Sequence, residues 1–331
     1  VTGSRGHFAR NLGIPAKPGE GEKVIPSRTM KGYWFRPDVS RDQLAGLTMG
    51  WYFIGVLMED PELKRLAASE MRAIALKLYG DKMWLRDYRG EQMEYGELRA
   101  DVKFMPFRKN GALAAIGLAT LIAAADLNPT CEACGKALAN LDRRGWDEAL
   151  PTQNTELPAL VNSSNVQMVT ISLLVIARSG QRSGRPAHYA KKGLLSLRRA
   201  TVGWWNAALC AMQLFSGMPG DKRPLRGEFR ATLHGMPDRE MPRRLVRSWK
   251  ANKAAPIWMR QPSSWYWTND VTHHHQWAPA EKLDPRVIWT GADWLFAYWF
   301  GRAAGEFTPI VGRGVNPRAH HIVASRPAWT R

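Results

Sequence analysis

His188 and Tyr189 stand side by side where a helix begins, just after the basic loop SGQRSGRP. Imidazole and phenol are general bases that an enzyme can tune, and clustered positive charge lowers the pKa of a tyrosine. Asn162 and Asn165 open a second helix, and Arg41 and Asp42 open a third. A base set among amides and guanidinium groups suits proton abstraction from carbon beside a carboxylate. Arg41, Arg185, Asn162 and Asn165 would neutralise that carboxylate and make an enolate-like state tolerable. Two carboxylates facing across a bond would instead suit hydrolysis. Asp38 and Asp42 are the N-terminal candidates, with Asp87, Glu94, Glu97, Asp270 and Asp293 as partners whose pairing is not readable from spacing. His273, His274 and His275 follow Asp270. Three adjacent histidines cannot all point at one ion, but His273 and His275 with Asp270 have the types of a metal site. His275 could equally supply a base, and a surface role is the plain alternative. No other cofactor is expected.

Charge and rings gather in the second half of the chain. The 331 residues carry 47 Lys and Arg against 29 Asp and Glu, a net +18. From 157 to 220 there is no acid, while Arg178, Arg182, Arg185, Lys191, Lys192, Arg198 and Arg199 add +7. From Asp221 to Arg260 there are 11 basic and 4 acidic residues, another +7. A face of one sign steers an anionic polymer, though a soluble basic surface or an acidic partner accounts for it too. Ten of the 15 Trp lie between Trp204 and Trp299. Flat rings stack on sugars and on bases. Core packing is expected of Trp294 and Trp299. The adjacent Trp265, Tyr266 and Trp267 cannot all be buried by one periodicity and read as partly exposed. Arg36, Trp51, Trp204, Trp205 and Asn206 complete the candidate binding set, with Arg185, His273 and the triplet.

Cys131 and Cys134 form a lone CxxC, and Cys210 sits in an apolar run. One CxxC is half a zinc site, so structural thiols on the first turn of a helix are the expected reading, with a local disulfide as alternative. No apolar run approaches the ~20 residues of a bilayer span. The start, VTGSRGHFAR, lacks a signal peptide's apolar core. It either follows a processed segment or belongs to a cytosolic protein, and the compartment stays open, with a secreted or periplasmic location slightly favoured. A Rossmann glycine fingerprint, a P-loop, a GxSxG elbow and an HExxH are all missing.

The elements that must position these groups are mostly helices. Ser40, followed three residues later by Gln43, predicts a capped helix over 40–58, with Gly46 and Gly50 offering close approach. Asp60-Pro61 starts a second helix with the stripe Leu63, Leu66, Ala67, Met71, Ile74, Leu78, ending at Gly80. Residues 84–97 are too polar and turn-rich for a core helix and read as a short hairpin or an excursion. Further helices are expected over 110–126, 131–144, 163–178, 187–199, 204–215 and 291–304, with shorter pieces between 217 and 262. No repeat of fixed period is visible.

The succession SRDQ, WLRDYRGEQMEYG, an Asn-led helix, NSSN, WWNA and GADWLFAYWFGR resembles the α/α-toroid proteins of carbohydrate metabolism, among them polysaccharide lyases and some glycoside hydrolases. The resemblance spans Arg36 to Arg302. It implies an all-α toroid of helical hairpins over 34–304 with a cleft at one rim, lined by aromatic and polar residues from helix ends. The composition of 1–33, rich in Gly, Pro and Lys, and of the basic 305–331 reads as extended arms lying on this body. The acid-free cationic region and the scarcity of carboxylates then favour an enzyme cleaving an anionic, uronate-containing polysaccharide by β-elimination, with a glycoside hydrolase as the second reading. A non-catalytic module that binds nucleic acid, or one built into a larger assembly, is the alternative of a different class.

Overall fold

A computed structural model describes residues 2–13, 24–101, 109–152, 163–179, 185–201, 207–234 and 292–307. The described chain is mostly helical, with five short strands. Helix α1 (Arg41–Leu57) begins where Gln43 Oε1 accepts the Ser40 backbone N–H at 2.7 Å. Helix α2 (Pro61–Gly80) is capped by Asp60, whose carboxylate accepts the N–H groups of Glu62 and Leu63. Asn110 does the same for α3 (Gly111–Leu127) through Ala112 and Leu113. Each cap satisfies donors that a helix start leaves orphaned. There follow α4 (Glu132–Arg143), the single turn α5 (Trp146–Ala149), α6 (Ser163–Arg178), α7 (Arg185–Thr201), α8 (Ala207–Phe215), α9 (Arg223–His234) and α10 (Ala292–Ala303).

Burial alternates along this order. Helix α3 is buried from Leu113 to Ala125, α6 from Val166 to Ile176, and α8 along all nine residues. By contrast, α2 buries only Ala67, Met71, Ile74, Ala75 and Leu78, and α4 only Cys134, Ala137, Leu138 and Leu141. A helix apolar all round needs neighbours on every side, whereas a single stripe faces one. The helices thus sort into an enclosed set and a covering set. The expected stripe of α2 is corrected at its start, because Leu63 and Leu66 are 36% and 45% exposed. The close approach expected at Gly46 and Gly50 is also corrected: among the described residues nothing lies within 4 Å of a Cβ built at either. The close approach comes instead at Gly55, where a Cβ would stand 2.5 Å from Leu127 of α3, and at Gly117, where one would stand 2.7 Å from Met83 and 3.0 Å from Trp146.

Three polar contacts align the enclosed helices. Thr48 and Thr120 meet at 3.1 Å between α1 and α3. One turn on, the Tyr52 hydroxyl lies 2.9 Å from the Arg178 carbonyl of α6 and 3.1 Å from Asp126 Oδ2 of α3. The Arg178 guanidinium rests 4.6 Å from the centre of the Phe215 ring at the end of α8. Phe53 then meets Phe215 and, in α10, Phe300. The last turns of α1, α3, α6 and α8 therefore gather at one place. Helices α1, α3 and α6 pack along their lengths, so they run the same way and start together at the opposite end.

Burial, then the Asp126 charge and its hydrogen bond, push the Tyr52 phenol well above its ordinary pKa. Burial pushes Arg178 down to about 10. Tyr52→Phe keeps the ring but removes the donor from two acceptors, and is expected to cost about 1–3 kcal/mol in denaturant unfolding.

The start end carries the sheets. Strand β3 (Trp34–Arg36) pairs antiparallel with β1 (Asn11–Gly13) and with β2 (Ile25–Pro26), Phe35 standing opposite both Leu12 and Ile25. Strands β4 (Trp84–Arg86) and β5 (Gln92–Glu97) form the expected hairpin. The first sheet joins residues on both sides of the boundary drawn at 33. The N-terminal segment also lies on α2, where Gly6, at φ +80°, approaches so closely that a Cβ would sit 2.7 Å from the Ala73 carbonyl oxygen. Beyond 304, Glu306 is buried against Arg226 and Arg230 of α9.

Candidate functional site

Pro37 ends β3 in a turn that folds Asp38 back onto Arg36. The pair is bidentate, with Nε and Nη2 at 3.2 and 2.9 Å from the two carboxylate oxygens, and Arg10 reaches the same carboxylate at 3.2 Å. Burial raises the Asp38 carboxyl, but the hydrogen bond and charge of Arg36, then Arg10, outweigh it and hold the group below its ordinary value. Arg41 follows at the first position of α1. Its Nε is buried and has no hydrogen-bond partner among the described residues, while Asp42 beside it is exposed.

The β4–β5 turn stands at the same end, joined to β3 by the edge-on contact of Tyr88 with Phe35 at 5.7 Å. Asp87 Oδ1 accepts the N–H groups of Arg89 and Glu91 at 2.8 and 2.9 Å, and Oδ2 accepts Arg89 Nε at 2.9 Å. Gly90, at φ +90°, closes the turn back onto the Asp87 carbonyl. Arg28 and Arg89 both lie over the Tyr88 ring. Burial raises the Asp87 carboxyl, but the Glu91 N–H and the Arg89 groups overcome this, and the net shift is downward. A carboxylate with a depressed folded pKa stabilises above its unfolded pKa, and that stabilisation is lost as pH falls through the folded value. Asp87→Asn is accordingly expected to cost about 1–2 kcal/mol at pH 7. The gap to wild type should narrow as pH drops below about 4, measured by urea unfolding across pH.

A third element of this end is α5. Trp146 is wholly buried against Gly117 of α3, and its Nε1 donates to Asp101 at 3.2 Å. Arg185, the first residue of α7, pairs with Asp147 at 2.9 Å and Glu148 at 2.6 Å. This pairing brings the start of α7 to α5. One turn on, exposed His188 meets half-buried Tyr189 edge-on at 5.5 Å, and Lys192 Nζ lies 5.6 Å from the centre of the Tyr189 ring.

No protein family, curated protein or solved structure matches the chain.

Of the candidate residues, Arg36, Arg41 and Asp42 share the start of α1 and the adjoining strand, and Asn165 is half-buried at the start of α6. Arg185, His188 and Tyr189 share the start of α7. Among the described residues no hydrogen bond, ion pair or ring contact joins the α1 group to the α7 group. Arg36 and Arg185 are each engaged by carboxylates, and Trp51 packs half-buried against the core. Asn162, Trp204, Trp205, Asn206, Trp265, Tyr266, Trp267, Asp270, His273 and His275 lie outside the described residues. Among those described, no group of three His, Cys, Asp or Glu could hold a metal.

Among the described residues, the expected single-signed face needs correction, because several of its arginines are paired, while Arg182 and the basic residues of 239–260 lie outside the described residues. Arg178 lies half-buried on Phe215, Arg185 is paired on α5, and Arg198 meets Glu228 at 2.8 Å in the interior. Arg226 and Arg230 share Glu306. Partly buried cations need counter-charges, and the fold brings them from outside the acid-free stretch. Lys192 and Arg199 stay exposed on α7. Trp299, expected in the core, is 53% exposed, with Arg302 over its ring. Cys131 and Cys134, expected as thiols, are bonded to each other. The cluster of Tyr52, Asp126 and Arg178 had no local signal, since its members lie 74 and 126 positions apart.

Proposed function

We propose that the protein is an α/α toroid that cleaves an anionic, uronate-containing polysaccharide by β-elimination at the end where α1, α3 and α6 begin. The alternation of enclosed and covering helices supports the toroid. The observation that carries the functional reading is the convergence of three helix starts on one end, together with Arg41, whose Nε has no partner among the described residues. Helix starts present positive dipole ends, which favour a carboxylate. Tyr189, with His188 and Lys192 against it, is the base, and Asn165 and Arg41 are the described groups that would neutralise the substrate carboxylate. The glycoside-hydrolase reading is weaker because its acid must hold a proton near neutral pH. Asp38 is instead held ionised by Arg36 and Arg10, Asp87 by the Glu91 N–H and Arg89, and Glu97 is paired with Arg99.

Incubation with a panel of uronate polymers, followed near 235 nm, tests this. New absorbance is expected, and Arg41→Ala should raise KM by about tenfold, the worth of one charge-assisted contact. Reducing ends without that absorbance would mean hydrolysis. Salt-sensitive binding to nucleic acid without sugar turnover would replace the enzyme with a binding module.

A further inference from the structure

We infer that Cys131–Cys134 is a redox-active disulfide that exchanges with small thiols through Cys131. The two sulfurs are bonded across the first turn of α4, with Cys131 as the N-cap residue. Cys131 Sγ accepts the backbone N–H of Cys134 at 3.2 Å. Cys131 keeps 8% of its surface in solvent, while Cys134 keeps none. The pair is therefore unequal: Cys131 keeps a small exposed surface and its Sγ is served by a helix N-terminus, while Cys134 is sealed beneath it. A loop closed over so few residues removes little chain entropy, so the bond does little to staple the fold. What the position does supply is a stabilised thiolate, because helix starts lower cysteine pKa and CxxC spacing keeps a resolving thiol at hand.

The exchange balances with two equivalents of a monothiol. A thiolate attacks Cys131 Sγ, the protein S–S bond breaks, and Cys134 leaves as thiolate and takes a proton. A second thiolate attacks the external sulfur of the mixed disulfide. Cys131 then leaves as a thiolate held by the Cys134 N–H, the reagent departs as its disulfide, and the protein gains two electrons and one proton, taken by Cys134. Cys210, buried between α8 and its neighbours, provides an internal control. Its thiol is pushed well above its ordinary pKa by burial and then by the Glu228 charge, so it stays unreactive in the folded protein.

The test uses the folded full chain in buffers of reduced and oxidised glutathione, with acid quench, alkylation and peptide mapping. Cys131–Cys134 should convert reversibly between disulfide and dithiol while the far-ultraviolet circular dichroism stays unchanged and Cys210 stays unlabelled. After reduction, brief iodoacetamide treatment should label Cys131 at least about tenfold faster than Cys134. Cys134→Ser should retain glutathione on Cys131 as a mixed disulfide. A bond that resists glutathione until denaturant is added would overturn the proposal, and so would equal or reversed labelling. The labelling ratio is read on the wild-type chain, so it decides the matter even where Cys134→Ser does not fold.

Discussion

Replacing Glu228 with alanine will lower the unfolding free energy by about 3–5 kcal/mol, the cost of leaving a buried charge without its partner. Glu228 Oε2 accepts Arg198 Nη2 at 2.8 Å between α7 and α9, with the two side chains only 8% and 10% exposed. Two ions taken out of water recover their hydration only through each other and through further hydrogen bonds. Truncating the acid strands the guanidinium against α8, beside Cys210. Replacing both partners with apolar residues of similar volume is a different experiment. Arg198→Met with Glu228→Leu should restore most of the loss, because no charge is then left buried. Denaturant unfolding of the two single variants and the double variant, compared at equal m, measures the coupling. Additive losses would mean that the pair is not coupled.

On the proposed β-elimination, Tyr189→Phe will cut the rate of unsaturated-product formation by about 10²–10⁴-fold, the range a general base contributes. The ring and its contacts with His188 and Lys192 remain, so the fold and KM should change little. His188→Gln serves as the comparison. If only the histidine variant loses activity, the base is His188. If both variants keep full activity, the chemistry does not reside on α7.

Much of the helical order was legible before the fold was known, and the reason is local. A cap is decided by a side chain and the N–H groups two or three residues ahead, so Ser40 with Gln43, Asp60 with Pro61, and Asn110 announce their helices directly. The turn-rich run from Trp84 to Glu97 announced its hairpin in the same way. Leu63 and Leu66 were misread because periodicity shows which residues share a face, but not how far along the helix a neighbour covers it.

Charge was the least legible feature. An acid-free stretch looks cationic in one dimension, but Asp147, Glu148 and Glu228 arrive from elsewhere to pair with its Arg185 and Arg198. The same holds for Tyr52, whose acceptors on α3 and α6 are distant in sequence and adjacent only once three helices run side by side. The amino-acid order determined where helices start and which of them are apolar all round, since those properties depend on neighbours along the chain. Only the tertiary structure decided which cations are paired, which glycines meet another element and whether two cysteines are bonded, because each depends on atoms that the fold alone brings within a few ångströms.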